Sequence, residues 1–171
     1  FFSIVFLISC SEDYTPKPRA FLKLEFPEKA YHEIETEYPF SFDLPDYSVL
    51  ISTQNNHLFD IDFPNQNGRL HITYLPLQNN LYEHTEQSRK LAYKHHVMAN
   101  GISEQIYIND SLKVFGVLYD YSGVTATSTQ FFLTDSINHF FRGALYFNTE
   151  INDSILPLNN FLKQDVKHLI E

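Results

Sequence analysis

Alternating apolar and polar positions dominate the first half of the chain. Phe40–Leu44, Phe59–Phe63 and Leu70–Tyr74 each alternate strictly between the two kinds of side chain. This period of two is typical of strands that bury one face and leave the other in water. Tyr47–Thr53 is a further strand candidate because it contains β-branched residues, and Pro64–Gly68 has the composition of a turn. We therefore expect a set of hairpins here.

Strand patterns continue in the second half, where two short polar segments, Asn109–Ser111 and Thr134–Ser136, have the composition of turns. Each of these segments would join two neighbouring strands. The predicted strands are Gln105–Ile108, Leu112–Tyr121, Thr127–Leu133 and His139–Asn148.

Two segments have helical periodicity instead. The first is predicted to begin at Asn80, with Glu83 completing a capping box, and to end at Asn100-Gly101. The second is predicted to be capped by Asp153-Ser154, and Pro157 is acceptable in its first turn. The inward positions of the first helix are Leu81, Ser88, Leu91, Ala92 and Met98. Those of the second are Ile155, Leu158, Phe161, Leu162, Val166, Leu169 and Ile170.

Strands outnumber helices too strongly for crossover connections, so the pairing should be mainly antiparallel. The sequence predicts an α+β fold, in which a middle helix and a C-terminal helix pack on the sheet. The order of elements also resembles that of Mog1/PsbP-like domains, which is an analogy of architecture alone.

Composition narrows the class of protein. The 171 residues are 43% hydrophobic and 19% charged, as in an ordinary globular domain. The formal net charge is -9 and no basic run occurs, so the chain would repel a nucleic-acid backbone. Eleven acidic and four basic residues lie between Cys10 and Asn65, which makes the N-terminal third the most acidic part. We expect no nucleic-acid partner.

The N-terminal residues indicate a lipid anchor. Residues 1–9 are almost wholly apolar but fall short of the ~20 needed to span a bilayer, so we interpret them as the end of a signal peptide. Leu7-Ile8-Ser9-Cys10 resembles the lipobox of bacterial lipoproteins, in which the cysteine is lipidated. The alternative is a buried N-terminal strand with Cys10 as a small apolar residue. If the lipobox interpretation is correct, residues 10–20 are the lipidated N-terminus and tether, and residues 21–171 form a single domain.

Signatures of catalysis are weak. The five glycines form no phosphate-binding or nucleophile-elbow pattern. His95 and His96 are adjacent and would point about 100° apart on a helix, so we expect no metal site and no cofactor. Asp135 and His139 flank a predicted turn. We interpret a contact between them first as a turn-stabilising hydrogen bond, with a catalytic dyad as the alternative.

Candidates for partner binding lie in the last two predicted strands. The polar run Thr125–Gln130 either supplies hydroxyl and amide groups to a ligand pocket or forms an exposed strand edge or turn. Arg142 stands alone in an apolar and aromatic strand, where an arginine is solvated, paired or used to bind a partner. We take Gln130, His139 and Arg142 as candidate partner-binding residues and assign no catalytic residue.

Several stretches of the chain together carry a family resemblance. They are Leu7–Cys10, Pro16–Arg19, Leu22–Pro27, Tyr38–Phe42, Ser128–Ser136, His139–Phe140, Arg142–Phe147, Asp153–Pro157 and Asp165–Leu169. In these stretches the chain resembles the gliding-motility lipoprotein GldD family of the Bacteroidetes. The resemblance spans nearly the whole chain and is most specific between residues 128 and 147.

The resemblance implies a cell-envelope lipoprotein that is required for gliding and linked to type IX protein secretion, with no enzymatic activity attached to the family. Only Cys10 carries over, as the lipidated position, and its covalent acyl chains (palmitate among them) would be the only attached group. Ser11 suggests outer-membrane sorting, whereas Ser11-Glu12-Asp13 resembles the export tag of surface lipoproteins. We expect a periplasmic-facing outer-membrane location.

We therefore expect a non-catalytic interaction module whose partners are other envelope proteins of gliding and type IX secretion, with no small-molecule substrate. Two alternatives stay open. One is a lipid-anchored enzyme that acts on peptidoglycan or glycans, and the other is a periplasmic ligand carrier.

Overall fold

The computed structural model describes residues 25–34, 38–53, 57–94, 99–123, 125–149, 151 and 154–171. The predicted signal-peptide end, Cys10 and the tether lie outside these described residues. The elements are β1 (Tyr31–Ile34), β2 (Phe42–Pro45), β3 (Val49–Ser52), β4 (Leu58–Phe63), β5 (Gly68–Pro76), α1 (Leu81–Lys94), β6 (Gly101–Asn109), β7 (Val114–Ser122), β8 (Thr127–Thr134), β9 (His139–Phe147) and α2 (Leu156–Ile170), with a short 3-10 helix (Pro64–Gln66) between β4 and β5.

Seven strands form one sheet in the order β3-β4-β5-β9-β8-β7-β6, while β1 and β2 form a separate two-stranded sheet. Every pair of neighbouring strands is antiparallel. The central pair joins β5 from the first half of the chain to β9 from the second half, with nine residue pairs from Gly68–Phe147 to Pro76–His139. The predicted α+β fold with a mainly antiparallel sheet is confirmed.

Helix α2 covers one face of the seven-stranded sheet, which we call the α2 face. Strand alternation places Ile61, Leu70 and Leu145 on it, each at most 1% exposed. Leu162 and Val166 of α2 belong to the same buried cluster. The predicted packing of the C-terminal helix on the sheet is therefore correct, and this cluster forms the larger core.

Helix α1 covers part of the opposite face, which we call the α1 face. It contacts β8 and β9, and its buried residues are the small side chains Ser88 and Ala92, which permit close approach. The buried apolar residues of this layer are Ala92, Tyr119, Tyr121, Phe132 and Phe140. On β4 and β5, by contrast, the same face carries polar side chains such as those of Asp60 and His71. The middle helix thus covers one half of the face and leaves the other half open.

Some local expectations were wrong. Strand β1 was not predicted, because its four residues Tyr31–Ile34 show no alternation of burial. Gly101 begins β6 instead of ending the first helix. The residue that caps α2 is Ile155, which makes no side-chain capping bond, and Pro157 lies in the first turn as expected. The predicted cap residue Asp153 and the inward Met98 lie outside the described residues. None of the helices in the described ranges is long and apolar enough to cross a membrane.

Candidate functional site

Gln130 and Arg142, two of the three candidate partner-binding residues, meet on the α1 face. Gln130 on β8 pairs with Ala144 of β9, and Arg142 on β9 pairs with Phe132 of β8. Diagonal neighbours on adjacent strands are within reach of a long side chain. Arg142 Nη2 donates a hydrogen bond to Gln130 Oε1 at 2.8 Å. Strand pairing therefore brings the two residues into direct contact.

The Gln130 side chain is enclosed, with only 1% of the residue exposed. The contact with Arg142 fixes the orientation of the amide, because a guanidinium has no acceptor and must face the amide oxygen. Gln130 Nε2 is then left buried with no hydrogen-bond partner among the described residues. A buried donor without a partner costs about 1–3 kcal/mol. The site thus contains an unused donor.

The guanidinium of Arg142 is half-buried. Burial lowers the pKa of Arg142, and the nearby Tyr146 and Tyr121 act in the opposite direction. Arginine nevertheless keeps its positive charge at neutral pH. Within the described part of the chain, none of the ion pairs involves Arg142. The site therefore combines a cation with an unpaired amide donor.

Buried residues hold the site firmly. Ala144, which pairs with Gln130 across the two strands, is 4% exposed and contributes only a methyl group to the site. The Tyr121 hydroxyl donates to the Ala92 carbonyl oxygen at 2.9 Å, which ties β7 to the last part of α1. Burial raises the pKa of Tyr121, and burial together with nearby Glu104 raises the pKa of Tyr119 to about 12. Both tyrosines therefore stay protonated at neutral pH.

The polar run before Gln130 lies inside the protein and is not an exposed edge or turn. Thr127, Ser128 and Thr129 are each at most 1% exposed. Thr127 donates to the Leu145 carbonyl oxygen and Thr129 to the Tyr119 carbonyl oxygen, both at 2.9 Å. Ser128 donates to Asn159 Oδ1 of α2. These hydroxyls hold strands and helix together, so the run acts mainly as internal structure.

The side chains of His139 and Asp135 bind different groups, although Asp135 also accepts from the backbone N–H of His139. His139 lies on the α2 face, where its Nδ1 is 2.9 Å from the Tyr74 hydroxyl, so the sheet separates it from Arg142. Asp135 Oδ1 accepts hydrogen bonds from the backbone N–H groups of Ile137, Asn138 and His139, at 3.0, 2.8 and 2.8 Å. Burial pushes the pKa of Asp135 upward, but these donors outweigh it and the pKa is lowered. The Asp135 side chain therefore stabilises the turn.

Asp165 forms a second polar centre, which the sequence analysis missed. It lies on α2, is 3% exposed, and accepts hydrogen bonds from Lys29 Nζ at 2.6 Å, the Tyr31 hydroxyl at 2.8 Å and the Tyr47 hydroxyl at 2.6 Å. Lys29 Nζ also lies 3.4 Å from the centroid of the Phe161 ring. Burial lowers the pKa of Lys29, although the bond to Asp165 acts against this shift. The one available signal was an acid within the apolar stripe of α2.

Residues 25–31 follow α2 along its length. Phe26 stacks on Phe161 with ring centroids 4.6 Å apart. Tyr31 stacks on His168 at 3.8 Å. The Lys29–Asp165 ion pair lies between these two contacts. The segment therefore runs in the same direction as the helix. The first described residues are thereby fastened to the C-terminal helix.

Comparison with known proteins places the chain in a family. The family model described as gliding motility lipoprotein GldD matches residues 11–171. This chain belongs to the GldD family. The match covers every element of the fold, and it confirms the resemblance seen in the sequence. No curated protein and no solved structure matched significantly.

Membership of the GldD family makes the chain a lipoprotein with a role in gliding motility. A lipoprotein of this kind is a membrane-anchored envelope protein. In the part of the GldD-family chain that the structure describes, no group of three or more His, Cys, Asp and Glu side chains is placed to hold a metal ion. His95 and His96 lie outside that part.

Proposed function

We propose that this GldD-family protein is a non-catalytic interaction module, anchored by lipid at Cys10 and linked to type IX protein secretion. Its partners would be other envelope proteins of the gliding and secretion machinery. The observation that carries the proposal is the Gln130–Arg142 contact, a charged and partly unsatisfied site that is held rigidly by the surrounding strands. Such a site is suited to recognise a partner.

The contacts of the other candidate residues support a non-catalytic role. The alternative dyad needs Asp135 to orient the imidazole of His139, but the Asp135 carboxylate binds three backbone N–H groups and the imidazole lies beside the Tyr74 hydroxyl. The hydroxyls of Thr127 and Thr129 donate to backbone carbonyls. These groups are therefore occupied with structural bonds.

Anchoring would make weak contacts effective. Two acyl chains already suffice for stable membrane attachment, so a fully acylated Cys10 would hold the domain at the outer membrane. A partner in the same leaflet then meets the domain at a high effective concentration. We place the domain on the periplasmic side, where the other envelope components of the machinery would meet it.

The test is export of a type IX cargo protein into the medium by cells that lack the gene. Complementation with the wild-type gene should restore export and gliding. Cys10→Ala should not restore them although the protein accumulates, and His139→Ala should restore them fully. Export that is unchanged in the deletion strain would refute the link to secretion. Loss of export with His139→Ala at normal protein level would favour an enzyme.

A further inference from the structure

We propose that the Gln130–Arg142 site binds a carboxylate group of a partner protein. This inference rests on the proposed function as an interaction module and names the chemistry that the module recognises. The carboxylate would face the partly exposed guanidinium of Arg142, which the enclosed Gln130 holds in place through its Oε1. These two residues define the anion site.

The positive charge of Arg142 has no counter-charge among the described residues. Lys29 and Lys163, which are also half-buried, form ion pairs with Asp165 and Asp120. Arg142 instead contacts a neutral amide oxygen, and the groups that act on its charge are the tyrosines Tyr146 and Tyr121. Charges that leave water are normally paired. A carboxylate from another molecule would supply the counter-charge that the described residues do not.

Arg142 has hydrogen-bond donors to spare. A guanidinium offers five N–H groups, and one of them is used on Gln130 Oε1. Arg142 is only partly buried, so other N–H groups of its guanidinium can face a group from outside. Neighbouring N–H groups of a guanidinium form a planar fork that fits the two oxygens of a carboxylate.

Arg142 is accessible from the β5 side of the sheet. Thr73 of β5 pairs with Arg142, and His71 lies beside Tyr146 with ring centroids 5.6 Å apart. The β5 side of the α1 face is open, since His71 is exposed and Thr73 is partly exposed. The site therefore lies at the border between the half that α1 covers and the half that faces solvent. A partner's carboxylate can therefore reach the Arg142 guanidinium from the β5 side.

Carboxylate fits better than phosphate. A phosphate dianion carries more charge and needs donors from more directions than two side chains provide. The protein also has a formal net charge of -9, which repels a dianion more strongly than a monoanion.

The binding test uses the full-length protein in detergent, with the side-chain NMR signals of Gln130 Nε2 and Arg142 Nε as readouts. Titration with sodium acetate should shift both signals saturably, whereas sodium chloride of equal ionic strength should not. Arg69→Gln is the matched control on the same face and should preserve the acetate response. An absent response to acetate, or a tighter response to inorganic phosphate, would overturn the proposal.

Gln130→Glu tests the role of the site in cells. The new carboxylate would pair with Arg142 internally, so the protein should fold with unchanged or higher stability but lose its response to acetate. Gliding and export should then fail at normal protein level. Arg142→Gln, which removes the charge, should also lose the acetate response, with binding weakened about 10- to 100-fold, as expected for a lost charge-assisted hydrogen bond.

Normal gliding and export by a folded Gln130→Glu protein would overturn the proposal, even if acetate binds the wild type, because a partner's carboxylate would then be unnecessary. The interaction-module proposal fails separately, when export no longer depends on the gene or on Cys10. The two failures are therefore distinguishable.

Discussion

Replacing Asp165 with alanine should destabilise the protein strongly. The substitution removes the acceptor of three hydrogen bonds and leaves the Lys29 ammonium and the hydroxyls of Tyr31 and Tyr47 without their common partner. Breaking a buried ion pair from one side costs about 3–5 kcal/mol. The Lys29 side chain is 25% exposed and regains some hydration, so we expect the lower end, about 3 kcal/mol. That loss corresponds to about 6–12 °C in Tm for a chain of this size.

Urea denaturation at 25 °C, followed by far-UV circular dichroism, measures the change in the free energy of unfolding. Asp43→Ala is a matched control, because Asp43 also pairs with a residue of α2, His168, at 3.0 Å. Both side chains of that pair are at least 40% exposed, so its loss should cost less than about 1 kcal/mol. If Asp165→Ala cost no more than Asp43→Ala, our account of the buried cluster would be wrong.

A double-mutant cycle separates the Lys29–Asp165 interaction from side effects. Lys29→Met combined with Asp165→Leu removes both charges and fills similar volume. The double variant should be more stable than the sum of the two single losses predicts, by about 1–3 kcal/mol. Additive losses would show that the ion pair itself contributes nothing.

Three further predictions concern other parts of the fold. Asp135→Asn keeps an acceptor but loses the charge. Since the folded pKa of Asp135 is lowered, its contribution is present above the unfolded pKa of about 3.9 and is lost as pH falls through the folded value. In urea titrations the wild type should therefore lose its stability advantage over this variant as the pH falls below about 3.9, and an advantage that persists unchanged in acid would contradict this. Gly116→Ala should cost about 1–3 kcal/mol or more, because a Cβ there would lie 2.3 Å from the Phe132 carbonyl oxygen. A Cβ at Gly101 would meet only Ser122 Oγ, at 3.2 Å, so Gly101→Ala should destabilise the protein far less. Equal decreases in Tm for the two variants would contradict this explanation. Ser128→Ala should cost about 1–3 kcal/mol in urea denaturation, because Asn159 Oδ1 would lose the hydroxyl that binds it. A neutral result would mean that another donor takes its place.

The sequence predicted most strands of the seven-stranded sheet. Strands β4 and β5 alternate between a buried and a more exposed face, whereas β8 and β9 are buried almost throughout and were delimited by the turn between them. Strand β1 was missed because it pairs only with β2, and all of its residues are exposed or partly exposed. The cap of α2 was misplaced because its first turn begins at Ile155 without a capping side chain.

The candidate site was predictable in part. The turn at residues 134–136 placed Gln130 and Arg142 on neighbouring strands, but a shift of one residue in register moves every side chain to the other face. The sequence alone therefore could not show that Arg142 contacts Gln130 on the α1 face, whereas His139 lies on the α2 face. The Asp165 cluster could not be predicted from the sequence, because its donors Lys29 and Tyr47 lie 136 and 118 residues from Asp165 along the chain.

The contacts of residues 25–31 with α2 have a mechanical consequence. Any tension that reaches the domain from the N-terminal side loads the Phe26–Phe161 stack first and the Lys29–Asp165 ion pair next. Tyr31 and strand β1 follow, and the seven-stranded sheet bears the load only after them. Under such tension we therefore expect the contacts of this segment with α2 to break one after another, before the seven-stranded sheet unfolds.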